Sequence, residues 1–93
     1  MVHEVEIRAA AQKQMLSLPG EAQVEIARFI DRLGDIPRPP RVKKLAESGL
    51  WRIRVGQYRV VYGIDDRAQL VVVARIARRR EDTYKGLRDE GTG

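Results

Sequence analysis

The chain has no cysteine and a single histidine, His3. The first absence removes disulfides, thiol catalysis and zinc-finger chemistry, and it suits a reducing compartment. With one histidine the common catalytic sets are missing, and no His, Asp and Glu residues share metal-ligand spacing. No glycine-rich loop of the phosphate-cradling kind precedes a helix. No apolar run approaches the roughly 18 residues of a membrane span. The N-terminal "MVHEVEIRAAAQ" places charges among its first apolar positions, unlike a secretory signal. These absences predict a cytoplasmic protein that uses no cofactor or metal and does not enter a membrane. They also direct the search for function to charge.

The 93 residues carry a formal charge of +5. That length allows one domain with a modest core, and a hydrophobic content of 43% argues against disorder. The placement of charge is more informative than its total. Residues 50–80 contain eight arginines (52, 54, 59, 67, 75, 78, 79 and 80) against two acids, Asp65 and Asp66, a net +6. A local arginine excess marks a polyanion partner, although a merely soluble basic surface is the plainer alternative.

The periodicity predicts a strand over residues 2–8 and a helix over 9–18, with Ala11, Met15 and Leu18 at helical spacing. Pro19-Gly20 separates this helix from a clearer one over 21–33, and Pro19 suits the first helical position. Ala22, Ile26, Phe29, Ile30 and Leu33 form its apolar stripe, and Gly34 suits its end. Residues 35–49 hold three prolines and read as an extended connector, with one helical turn near Val42–Ala46.

The stretch "LWRIRVGQYRVVYGI" (50–64) reads as a hairpin. Trp51, Ile53 and Val55 alternate with Arg52 and Arg54. A Gly56-Gln57 loop suits a type II′ turn. Tyr58, Val60, Tyr62 and Ile64 then alternate with Arg59, Val61 and Gly63. A two-residue loop sets Val55 against Tyr58, Arg54 against Arg59 and Arg52 against Val61. Two arginines therefore face each other, an arrangement that destabilises a sheet by a few tenths of a kcal/mol or more. Asp65 to Ala68 form a second turn, and "QLVVVARIA" (69–77) a third strand. Residues 78–87 leave the sheet as a short helical turn, and residues 89–93 are a frayed tail after a single domain spanning residues 1–88.

The predicted fold is a small single α+β domain of order β-α-α-β-β-β. Two N-terminal helices cover one face of a mainly antiparallel sheet. That face takes Trp51, Ile53, Val55, Tyr58, Val60 and Tyr62, so Tyr58 and Tyr62 read as core. Arg52, Arg54 and Arg59 face solvent on the other side. If Ile64 pairs with Gln69, Arg78 joins them. His3 reads as a packed or edge histidine, and Asp65-Asp66 as turn residues rather than metal ligands.

The chemistry open to such residues is phosphate recognition. Arginine binds phosphate oxygens bidentately and keeps its charge, so Arg52, Arg54, Arg59 and one or more of Arg78, Arg79 and Arg80 can stabilise a developing phosphorane. Tyr84 stands four residues after Arg80 and shares a face with it in a helix. It can stack on a base, donate a proton or orient a 2′-hydroxyl. Cleavage of RNA by its own 2′-hydroxyl needs no metal, but it needs a base. The candidates are Tyr84, Glu81, Lys43 and Lys44. Such a site requires help in positioning its substrate.

"LWRIRVGQYRVVYGIDD" (50–66) and "RRREDTY" (78–84) resemble the RelE/ParE toxin superfamily. The first is similar to its aromatic–Arg–apolar–Arg–apolar–Gly run followed by Tyr-Arg. The second is similar to its C-terminal basic segment ending in tyrosine, and "VKKL" before the hairpin also fits. The resemblance spans the chain in length and order. It implies a toxin of a toxin–antitoxin pair and, in the RelE branch, a ribosome-dependent interferase that cuts mRNA in the A site. Arg52, Arg54, Arg59, Arg78 and Tyr84 would then be catalytic, with Lys43, Lys44, Arg79 and Arg80 on RNA. Some members have lysine where Arg52 and Arg54 stand, so a base at those positions is excluded here. The implied partners are the ribosome with its mRNA, and an acidic antitoxin of RelB type laying an amphipathic helix on the domain. A ParE-like gyrase inhibitor and an inactive binding module are the alternatives.

Overall fold

Two patterns, period two over the hairpin and a stripe at helical spacing over residues 21–33, generate the two layers. The computed structural model describes residues 3–78. Strand β1 (Glu4–Ile7) is followed by helices α1 (Ala9–Leu16) and α2 (Gly20–Leu33), and then by strands β2 (Lys43–Lys44), β3 (Trp51–Val55), β4 (Tyr58–Asp65) and β5 (Leu70–Arg78). They form one sheet of order β1-β5-β4-β3-β2. All its pairings are antiparallel except the outer one, where β1 runs parallel to β5. Helix α1 lies against β5, while α2 contacts both β1 and β3.

The core fills the space between helices and sheet. Ala22, Ile26, Ile30 and Leu33 of α2 meet Ile53, Val55, Tyr58, Val60, Tyr62, Val71, Val73 and Ile76 of the sheet, with Phe29 and Trp51 at the margin. The apolar face expected of the hairpin is thus the buried one, Tyr58 and Tyr62 included.

Two local expectations are corrected. Residues 43–44 form β2 rather than part of a helical turn. Leu45 N–H donates to the Leu50 carbonyl at 2.7 Å, Gly49 N–H donates back to Leu45 at 2.9 Å, and Gly49 takes φ +76°. That tight loop folds the two lysines back alongside β3. Pro19 is the residue before α2, not its first, and its carbonyl accepts from Gln23. Gly34 does end α2, but with φ −64°. Its small size serves close approach instead: an added Cβ would lie 2.8 Å from the His3 carbonyl oxygen and 3.3 Å from Val5. The expected C-terminal helical turn and the tail lie outside the described residues.

The proline-rich connector is held at several points. Tyr62 Oη donates to the Pro37 carbonyl at 2.7 Å. Asp66 accepts from Arg38 at 2.9 Å and from His3 at 3.1 Å. Both partners hold its carboxyl below the usual range, Arg38 more than His3. Arg38 and Lys44 sit over the Trp51 ring, 5.2 and 5.5 Å from its centroid, a cation–π arrangement. Burial pushes the Tyr62 phenol up to about 12, with Arg38 pulling the other way.

Two stability outcomes follow. Gly34→Ala should lower stability by about 1–3 kcal/mol, because the His3 backbone just before β1 must shift; Gly20→Ala, with open space around it, should be neutral or slightly stabilising. Thermal melts of the two variants check this. The raised phenol of Tyr62 favours its neutral form in the folded state, so its contribution to stability is complete below about pH 10. That contribution declines as the pH rises toward about 12. Tyr62→Phe should flatten the alkaline limb of stability against pH and lose about 0.5–1.5 kcal/mol at neutral pH with the Pro37 hydrogen bond.

Candidate nucleic-acid interface

The hairpin turn comes first because it decides which side chains share a face. Gly56 takes φ +61° and Gln57 does not adopt positive φ, the pattern of a type II′ turn. The register is the expected one: Val55 opposite Tyr58, Arg54 opposite Arg59, Arg52 opposite Val61. With helices covering the Tyr58 side, the three arginines stand together on the other.

The β4–β5 pairing differs from expectation. Ile64 pairs with Val71, not with Gln69, and the register shifts by one residue between Val61 and Tyr62. Tyr62 is opposite Val73, but Val61 is opposite Arg75, leaving Ala74 as the extra residue of a β-bulge. Beyond the bulge the faces of β5 exchange. Ile76 turns into the core at 3% exposure, and Arg75 joins the arginine face. Arg78 falls opposite Tyr58, on the helix side, where Nη2 reaches Gln57 Oε1 at 3.5 Å. Arg78 is therefore not brought together with Arg52, Arg54 and Arg59.

Two adjacent cross-strand rows result. One holds Lys43, Arg52, Val61 and Arg75; the next holds Arg54, Arg59 and Ala77. Neither contains a carboxylate. Lys44 pairs with Trp51 and stacks on its ring, so it faces away from these rows. Arg79, Arg80, Glu81 and Tyr84 lie outside the described residues.

Exposure also departs from the simple solvent-facing picture. Arg54 is exposed, Arg59 is half-buried with Nε and Nη2 shut off from solvent, and Arg52 is only 8% exposed. A guanidinium does not give up its proton on burial, so its positive field persists in a medium that screens it poorly. At the β2 end of the face lies a cleft of about 240 Å³ lined by Arg41, Lys43, Arg52, Ile53 and Arg54. Arg41 adopts φ +77°, a left-handed conformation that costs a non-glycine residue about 1 kcal/mol.

Sequence reasoning missed Arg41 and Arg75. Nothing local marks Arg41. Arg75 had a signal: the inward apolar positions Val71, Val73 and Ile76 are spaced by two and then three. That break in period is how a bulge appears in sequence.

A family model for the ParE toxin of the type II toxin–antitoxin system parDE matches residues 5–83, and the chain belongs to this family, within the RelE/ParE superfamily. No curated protein matches it significantly. Among solved structures, a chain of the toxin–antitoxin complex RelBE2 from Mycobacterium tuberculosis is similar at TM-score 0.77 and 27% identity, over 85% of this chain and 100% of that one. The archaeal RelE–RelB complex from Pyrococcus horikoshii gives 0.76 and 29%, over 85% and 97%. The isolated E. coli RelE toxin shares the fold at 0.74, with 18% identity over 95% and 97%.

Opposed arginines should leave a measurable mark. Arg54→Thr should stabilise the fold by a few tenths of a kcal/mol, and more at low salt than at high salt, where the repulsion is screened. Chemical denaturation at two ionic strengths tests this; a salt-independent effect would assign the gain to strand propensity alone.

Proposed function

We propose that this toxin is a ribosome-dependent mRNA interferase acting in the cytoplasm. The observation that carries the reading is the pair of carboxylate-free rows, with Arg54 directly opposite Arg59 and Arg52 buried beside them. The attacking group is the RNA 2′-hydroxyl and the bond broken is the adjacent phosphodiester. Arg52, Arg54 and Arg59 stabilise the charge that builds on the phosphoryl oxygens. Among the described residues of the face, Lys43 alone can shed a proton. Proton transfer therefore falls to Lys43 or to residues beyond 78, Tyr84 first among them, and in-line geometry falls to the ribosome. Arg79 and Arg80 extend the contact with RNA, while Arg78, on the helix side beside Gln57, takes no part in this cluster.

The partner that restrains it is an acidic antitoxin. Similar structures at 27% and 29% identity are toxin–antitoxin complexes. The helix side offers exposed Val24 and a cleft of about 370 Å³ where Val24, Phe29 and Val55 lie among Glu21, Glu25, Arg28 and Arg32. That mixture of apolar and charged groups suits an amphipathic helix.

The family model is that of ParE toxins, which favours gyrase inhibition as the second reading. A cell-free translation reaction with a defined message, mapped by primer extension beside naked RNA, separates the two. The expected result is cutting at A-site codons only when ribosomes translate. Arg59→Ala should reduce that cutting by about 10²-fold with its circular dichroism unchanged, and Tyr84→Phe should reduce it as well. An intact message together with inhibited gyrase supercoiling would establish the second reading instead.

A further inference from the structure

The bulge in β5 determines which arginine reaches the cationic face. Continued without interruption, the pairing of Tyr62 with Val73 would put Arg75 opposite Val60, which is fully buried. The extra residue at Ala74 moves Arg75 to Val61 and gives Ile76 the core position. Helix α1 secures the strand beyond that point. Strand β1 has ended there, and Gln14 Oε1 accepts the Ile76 N–H at 2.7 Å. Bulges recur beside functional sites because they re-aim a side chain. Here the re-aimed side chain is an exposed arginine that makes no ion pair among the described residues.

Arg75 does not stand alone. Its row continues through Val61 to Arg52 and Lys43, and the Arg41 cleft lies at the far end. From β5 to β2 is three strand spacings, about 14 Å. Side chains stand roughly perpendicular to a sheet, so the two ends of the row engage separate phosphates. A single phosphate would use only part of the row, whereas a chain of phosphates uses all of it. The half-buried Val61 between Arg52 and Arg75 offers an apolar surface for a base or ribose between two phosphate contacts.

We propose that a single-stranded RNA crosses the strands of the sheet along the Lys43–Arg52–Val61–Arg75 row, with Arg75 anchoring one backbone phosphate on the β5 side. This rests on the reading of the face as an RNA site and adds the direction of the strand and a contact residue outside the cluster of Arg52, Arg54 and Arg59. An anchor at that distance serves binding rather than bond breaking.

The test uses the purified full-length chain and a short fluorescein-labelled single-stranded RNA, with anisotropy followed over a salt titration. Removing one cation that neutralises a phosphate should lower the slope of log K against log salt by about 0.7. Arg75→Ala should show that drop and Arg75→Lys should restore the slope. Arg67→Ala removes the same charge from the exposed turn between β4 and β5 and should leave the slope unchanged. Equal slopes for Arg75→Ala and Arg67→Ala, with Arg54→Ala still lowered, would overturn the Arg75 anchor and leave the site reading standing. Unchanged slopes for all three would remove the RNA site and the anchor with it. An equal drop on a duplex DNA of the same length would overturn the single-stranded assignment.

Discussion

A two-residue turn sets the terms for everything else in this domain. Gly56 can adopt φ +61° without a side-chain penalty, and a two-residue loop admits only one register for the strands it joins. From that register every residue of β3 and β4 is assigned to one face or the other. A slip of one residue would bury Arg52, Arg54 and Arg59 against α2 and expose Ile53, Val55 and Val60. The apolar face is held by α2, whose Glu25 carboxylate lies close to the turn itself. The turn therefore sits where hairpin and helix meet, and an error in it would spread through core and cationic face together.

The bulge is a second decision of the same kind, taken on the neighbouring strand. Strict alternation through β5 would satisfy either its first half or its second half. Val71 and Val73 demand one phase and Ile76 the other. One extra residue reconciles them, at the expense of a locally disrupted ladder that Gln14 repairs from α1. The same shift that buries Ile76 sends Arg75 to one side of the sheet and Arg78 to the other. The composition of the cationic face is thus set by the packing of the core behind it.

This explains which parts of the structure were legible in the sequence. The helices, the hairpin, its register and the burial of Tyr58 and Tyr62 depend on local periods and on one turn, and these the residues state directly. The placement of Arg78 depended on how β5 met β4, and the assumed pairing of Ile64 with Gln69 missed both the true start of the ladder and the bulge. The spacing from Val73 to Ile76 carried the information, but a period-two reading passed over it. Strand β2 was hidden for another reason. Two lysines have no strand pattern of their own, and they pair only because the Leu45–Gly49 loop folds them back onto Trp51 and Arg52. The burial of Arg52 was equally out of reach, since alternation assigns a face but not the depth of a side chain within it.

Permanent charge has a consequence for how such a face can act. Of the five cations in its two rows, four are arginines and one is lysine. Arginine does not titrate in the physiological range, so the field of this surface is constant with pH. The face is therefore well suited to gather and hold phosphates and poorly suited to move protons. Its design separates the two tasks. Stabilisation of charge resides in a rigid sheet, whose repulsion between Arg54 and Arg59 is tolerated because the hairpin is pinned from behind by Ile53, Val60 and Ile26. On the proposed reading, deprotonation and alignment come from Lys43, from the chain beyond Arg78, or from whatever presents the substrate. On that same reading, a domain built this way holds a phosphate chain by itself and needs a larger setting to act on it, because a face of permanent charge supplies attraction without proton transfer.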